Sequence, residues 1–304
     1  MCKIKKDPHT IPLYMYFRID SAKSFLETHA LKMADPTRCN DPYESYYKLI
    51  FDGKLCQTGD DFRKWINKQL KRYGISCFSA LDNSILMWAY YAESQKGICF
   101  EFQPQLDPIA FTNLQYVSYV SNIYTINERW DQSYIQKILT TKAKEWENEK
   151  EIRLIKEGLS GKLLTLNPQA IKSIILGCNL QHFYDTPDDL RRKNALEQII
   201  ELLKRPEYSH IVIKQIEQDD KTYKLTSQII HSIVWQDGNQ FVVTSLANQR
   251  LCIKRVYSSC ESICYSAKMN KWEKTILQLD EGIYYIGSDN IKGYLYFEVK
   301  EYQP

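Results

Sequence analysis

Within the run W-E-N-E-K-E-I-R, Trp146 to Arg153, two glutamates stand two residues apart, Glu149 and Glu151. On an extended strand residues i and i+2 share a face, so both carboxylates can address one ligand while Ile152 and Leu154 turn into a core. Like charges on one strand face repel unless cations or a ligand answer them. Arg153 shares the face of both acids, and its role is structural pairing with them. Carboxylates so placed can stabilise a positive charge as it develops, or, joined by Asp41, hold a magnesium ion as a nuclease would. The plain alternative is a solvated strand edge with Lys150 and Arg153 as neighbours.

The elements that must position this pair follow from periodicity. PLYMYFRI, Pro12 to Ile19, alternates as a strand, and SAKSFLETHAL after it has helical spacing. A loop with two Asp-Pro steps, ADPTRCNDPYE, leads into a short helical YESYYKLIF segment. DDFRKWINKQLKRYG predicts a helix with Phe62, Trp65, Ile66 and Leu70 on one face, a basic outer face and Gly74 as its stop. ISCFSAL then gives a buried strand, Asn83 or Ser84 starts a helix through ILMWAYYAES, and GICFEF gives another strand. A long helix from Ser133 through Trp146 delivers the chain to the glutamate strand, and a second helix is expected from Pro168 to Ile175. TPDDLRRKNALEQIIELLK is strongly amphipathic, with Thr186 as its cap. From about His231 short alternating strands take over, so residues 231–304 are expected to form a small all-β module after an α+β part at 1–230.

Bulk properties narrow the function classes. Forty basic against 37 acidic residues is too balanced to argue for nucleic-acid binding on electrostatics alone. The N-terminus MCKIKKDPHT has charge but no apolar run behind it, so a cytoplasmic chain without a membrane span is expected. Nine scattered cysteines without a CxxC pair fit reduced thiols, and Cys252, Cys260 and Cys264 match no zinc spacing. The five histidines form no cluster, and neither a Walker loop nor GxGxxG occurs, which disfavours hydrolase triads, nucleotide triphosphatases and Rossmann dehydrogenases.

Four clusters recur in order: Arg18 on the first strand, CNDPYE at Cys39 to Glu44, ISCFSALDNSILMWAYYAESQKGICFEF at Ile75 to Phe102, and KAKEWENEKEIRL at Lys142 to Leu154. Over about residues 12–229 they resemble a bacterial domain-of-unknown-function family that reads LYKYR, FNDPFE, CFS, MWAHYA-x-x-HKG and W-x-x-E-x-E-x-R. Gln95 stands where that family has a histidine. An arginine on an early strand, a serine on a central one and a glutamate closing E-x-E also resemble the Arg-Ser-Glu arrangement of toxin-like ADP-ribosyltransferases. That resemblance implies a split mixed-sheet α+β domain around NAD. Arg18 would clamp the dinucleotide, and Ser79, or alternatively Ser76, would brace the nicotinamide ribose and the catalytic acid. Glu151 would be the catalytic acid, and Glu149 would orient the acceptor, a protein or a nucleic acid.

The chemistry asks for such residue types. Breaking the bond to nicotinamide builds an oxocarbenium ion that a carboxylate stabilises, a guanidinium matches phosphate oxygens, and Trp88, Tyr90 or Tyr91 can stack on a flat base. Structural alternatives stand beside each role. Arg18 could pair with a nearby carboxylate, Ser79 could cap the next helix, Trp88 could be core, and Asn40 or Glu44 could either shape a turn or reach the pocket. The expectation is therefore an NAD-dependent mono-ADP-ribosyltransferase, a toxin or defence effector. The alternative is a non-catalytic nucleotide or nucleic-acid binding module, or a metal-dependent nuclease, whose β module docks a partner protein.

Overall fold

The computed structural model of the protein describes residues 6–51, 54–55, 60–127, 131–180, 186–203, 205–236, 239–246, 250–255, 275–279, 282–291 and 294–301. Its centre is a large mixed sheet. In chain order the strands that matter here are β1 (Leu13–Phe17), β2 (Tyr73–Ser79), β3 (Ile98–Phe102), β4 (Leu114–Tyr116), β5 (Glu151–Glu157), β6 (Ile171–Leu176), β7 (Val212–Gln218), β8 (Leu225–Gln236), β9 (Asn239–Leu246) and β10 (Arg250–Arg255). They lie in the order β10-β9-β8-β7-β6-β3-β1-β2-β5-β4. Only β6 and β7 run parallel among these neighbours, and the chain between them carries the helix Pro187–Leu203, as a parallel crossover requires. Strand β8 runs across position 231 and pairs with both β7 and β9. Every described element after it is a strand.

Period-2 alternation sorts the side chains onto two faces. On β1, Leu13, Met15 and Phe17 join a core that includes Phe25 and Leu26 of the helix Ile19–Thr28 and Leu196 and Ile199 of the helix Pro187–Leu203. Ile152 and Leu154 of β5 are fully buried in that same core, as their spacing predicts. The opposite face carries two separate apolar clusters. One packs Phe62, Ile66 and Leu70 of the helix Asp60–Leu70 and Ile135 and Ile138 of the helix Ser133–Leu139 on Ile75 and Ile155. The other gathers Tyr16, Trp88, Cys99 and Ile175. Trp88 belongs to the helix Ile85–Tyr91, which Ser84 caps by accepting from the Met87 N–H.

Three residues after that helix, Glu93, Ser94 and Gln95, are successively left-handed, with φ of 52°, 55° and 68°. Close backbone approach holds this turn. A Cβ on Gly97 would stand 2.2 Å from the Phe17 carbonyl oxygen, and one on Gly177 would stand 2.2 Å from that of Gln95.

Several sequence expectations need correction. Helix Ser133–Leu139 stops early, the chain makes a short strand Thr141–Ala143, and Lys144–Glu149 forms a 3-10 segment. Glu149 therefore closes a helical turn instead of sharing a strand with Glu151. The expected helix Pro168–Ile175 is a single turn, Pro168–Ala170, followed by β6, because Ile171, Ile174 and Ile175 are β-branched and fit a buried strand. Lys48–Phe51 is a strand rather than helical. Gly74 lies within β2, where a Cβ would stand 2.6 Å from both the Leu159 carbonyl oxygen and Met33 Cβ. Cys260 and Cys264 lie outside the described residues.

Candidate functional site

On the second face, between the two apolar clusters, the sheet is polar. Glu151 pairs in register with Ser79, and Arg153 with Cys77, so Glu151, Arg153 and Cys77 come side by side from β5 and β2. Glu149 joins them by another route. Lys150 is left-handed at φ 46°, and this reversal ends the 3-10 turn just before β5. Ser79 Oγ donates to the Glu149 carbonyl at 2.7 Å and accepts from the Leu81 N–H at 3.1 Å.

Each acid is held by named cations. Lys142 Nζ donates to Glu149 at 2.5 Å and to Glu151 at 3.1 Å. The Arg153 guanidinium donates through Nε to Glu151 Oε1 at 2.7 Å and through both terminal nitrogens to Glu44, at 2.7 and 2.9 Å. A further bond at 2.7 Å reaches the Leu139 carbonyl. Tyr91 Oη donates to Glu149 Oε1 at 2.6 Å, while the Glu151 N–H donates to Tyr119 Oη at 2.7 Å. All three glutamates and both cations are buried to within a tenth of their side-chain surface.

These groups line a cavity of about 130 Å³ together with Asn40, Tyr14, Met87 and Cys77. Three carboxylates face two cations there, which leaves one acid in excess. The two glutamates answer this differently. Burial pushes Glu151 up, but the Arg153 charge and hydrogen bond and the Lys142 charge outweigh it and hold the carboxyl at about 2. Burial also pushes Glu149 up, and there the bonds from Lys142 and Tyr91 offset it only in part, so its pKa stays raised. One carboxylate is thus permanently ionised while its neighbour keeps a proton to higher pH, the division of labour found in acid-base pairs.

The structure brings together Glu149, Glu151, Ser79 and Tyr91, but not Ser76, Trp88 or Arg18. Ser76 points to the opposite face of the sheet, where its Oγ donates to the Lys32 carbonyl at 2.9 Å. Successive strand residues alternate, so Ser76 cannot share the cavity with Cys77. Trp88 is fully buried, its Nε1 donating to the Asp82 carbonyl at 2.7 Å and its ring edge-on to Tyr16, so it is core and not a stacking platform. Arg18 does not line the cavity. It sits at the N-terminal cap of the helix Ile19–Thr28, 66% exposed, with its guanidinium 3.5 Å from Glu93, which Arg191 also engages at 2.9 Å. Arg18→Ala is therefore expected to change unfolding free energy by less than about 0.5 kcal/mol in a denaturant titration, and to leave the KM for any cavity ligand unaltered.

Glu44 and Asn40 do reach the cavity from the CNDPYE loop, and Arg153 pairs with Glu151 as its spacing implies but takes Glu44 rather than Glu149 as its second acid. Lys142 is the residue that sequence reasoning missed. Its only signal was the acid pair itself, which demanded a cation from somewhere. Lys142 Nζ also stands between the glutamates where a magnesium ion would have to bind, and Asp41 spends one oxygen accepting from the Tyr43 N–H without lining the cavity.

No helix among the described residues is long and apolar enough to cross a membrane. Compared with protein-family models, with curated proteins and with solved structures, the chain matches none.

Proposed function

We propose that the protein cleaves the N-glycosidic bond of NAD and transfers the ADP-ribosyl group to a macromolecular acceptor. The observation that carries this is the pair of buried carboxyls, Glu149 and Glu151, that line one cavity and share the Lys142 ammonium between them. Glu151, ionised at every working pH, stabilises the oxocarbenium charge on the ribose as the carbon–nitrogen bond breaks. The bonding electrons go to the ring nitrogen and neutralise the pyridinium. The acceptor's nucleophilic atom then bonds to the ribose carbon, and its proton passes to Glu149. A cavity with one carboxylate in excess suits the cationic nicotinamide ring. Its volume suits a single ring too, since an apolar cavity of about 150 Å³ takes one benzene. Arg18 has no part in this assignment, and the guanidinium at the site is Arg153.

The test is release of nicotinamide from NAD, with and without a cell extract as acceptor source, by the wild-type protein and by Glu151→Gln. Release that is absent from the wild-type protein, or identical in both, overturns the proposal. The pH profile supplies a second check. Because Glu149 must be ionised to accept a proton, and its pKa is raised from 4.5, the acidic limb of transfer should lie above the ordinary carboxylate range. The Tyr91 bond stabilises the ionised form, so Tyr91→Phe should move that limb to still higher pH. A limb unmoved by Tyr91→Phe would remove Glu149 from the proton transfer.

A second reading has one observation in its favour. Both cations at the site already have carboxylate partners within the protein, as in a non-catalytic binding module. Tight NAD binding without nicotinamide release would select it.

A further inference from the structure

A second hollow of about 220 Å³ lies beside the acid cavity and shares Met87 and Glu149 with it. Leu86 and Tyr90 of the helix Ile85–Tyr91 line it from one element, and Trp146 and Asn148 of the 3-10 segment Lys144–Glu149 from another. Leu86 is 41% exposed and Tyr90 67%, so this aromatic and aliphatic surface is left uncovered beside a charged site. From these walls we infer that the hollow receives one unpaired, amino-bearing nucleobase of a nucleic-acid strand, placing the acceptor next to Glu149.

Size and wall chemistry converge on that occupant. The volume takes one ring system, and two aromatic side chains offer it flat apolar surface, as single-strand binding sites do. An exocyclic amine has acceptors at hand, because the exposed Glu145 carboxylate and Asn148 amide line the hollow. A guanidinium fits less well. Lys142 Nζ already stands 4.8 Å over the Trp146 ring, so the cation-π position is taken and a second cation would meet a like charge. Lys144, exposed at the start of the turn that carries Trp146, is available to a phosphate outside the hollow, whereas Lys150 at its other end pairs with Glu147. The acceptor role rests on the glycosyl chemistry proposed above, whereas binding of the base does not.

The experiment is a fluorescence-anisotropy titration of the full chain, without NAD, using a labelled deoxyadenylate pentamer and an abasic pentamer of equal charge. The base-bearing strand should bind at least tenfold more tightly. Tyr90→Ala, an exposed substitution that leaves the fold intact by circular dichroism, should weaken deoxyadenylate binding by about tenfold and leave the abasic strand unchanged. Equal affinity of the two strands overturns the inference, as does a Tyr90→Ala protein that binds deoxyadenylate normally. Displacement of the strand by an arginine peptide would give the hollow to a cation instead. A Tyr90→Ala effect on NAD alone would give it to the dinucleotide's own adenine. Since no turnover is involved, failure of the NAD chemistry would leave these titrations as they are.

Discussion

Replacing Arg153 with methionine should lower the unfolding free energy by about 3–5 kcal/mol, the usual cost of stranding buried charges by removing their partner. The guanidinium is fully buried and answers both Glu44 and Glu151, with a further bond to the Leu139 carbonyl. Methionine fills much of the volume but leaves three buried carboxyl groups, Glu44, Glu149 and Glu151, with Lys142 as the one remaining cation of the cavity. Arg153→Lys should rescue little. A single ammonium cannot span Glu44 in a two-pronged bond and reach Glu151 at the same time. Adding Glu44→Gln to Arg153→Met should recover part of the loss, since one stranded charge disappears. Urea titrations of the four proteins decide the matter, and a loss below about 1 kcal/mol for Arg153→Met would show that the network is not structural.

Glu151→Gln should lower the rate of nicotinamide release by roughly a hundred- to a thousandfold, the range for removing one preorganised charge-stabilising group. The substitution keeps size and shape, and Arg153 keeps Glu44, so the protein should still fold. Its thermodynamic cost should depend on pH in a defined direction. Glu151 has a folded pKa of about 2 against an ordinary value of 4.5, so the stability it contributes is fully present above about pH 4.5 and fades as pH falls toward 2. Glu149 works the other way, because a raised pKa makes the folded state lose stability as pH rises past 4.5. The stability difference between wild type and Glu151→Gln should therefore grow from pH 2 to about 4.5 and then level off. A rate loss below tenfold at neutral pH would sink the catalytic role of Glu151 even if the stability profile held.

Much of this site was legible in the chain because strand alternation is a short-range rule. Ile152 and Leu154 facing the core, Arg153 beside Glu151, and Thr186 capping the helix Pro187–Leu203 all follow from neighbours a few positions apart. What escaped was long-range or conformational. A left-handed Lys150 cannot be read from a lysine, yet it decides that Glu149 ends a turn while Glu151 opens a strand. Arg18 follows β1 directly, but at about 3.3 Å per residue the four positions from Tyr14, which pairs with Ser79, carry it well away from Glu151. The helix expected at Pro168–Ile175 ends after one turn because the β-branched Ile171, Ile174 and Ile175 outweigh the helix start that Pro168 signals.

The two-sided character of β5 also fixes how the sheet can assemble. A slip of one position against β2 would exchange the faces, driving Glu151 and Arg153 into the layer beneath the helices Ile19–Thr28 and Pro187–Leu203 and turning Ile152 and Leu154 toward Lys142. Misaligned pairings of this strand would bury bare ions and expose aliphatic side chains in a single step, so the same side chains that charge the cavity also act as a lock on strand alignment during folding.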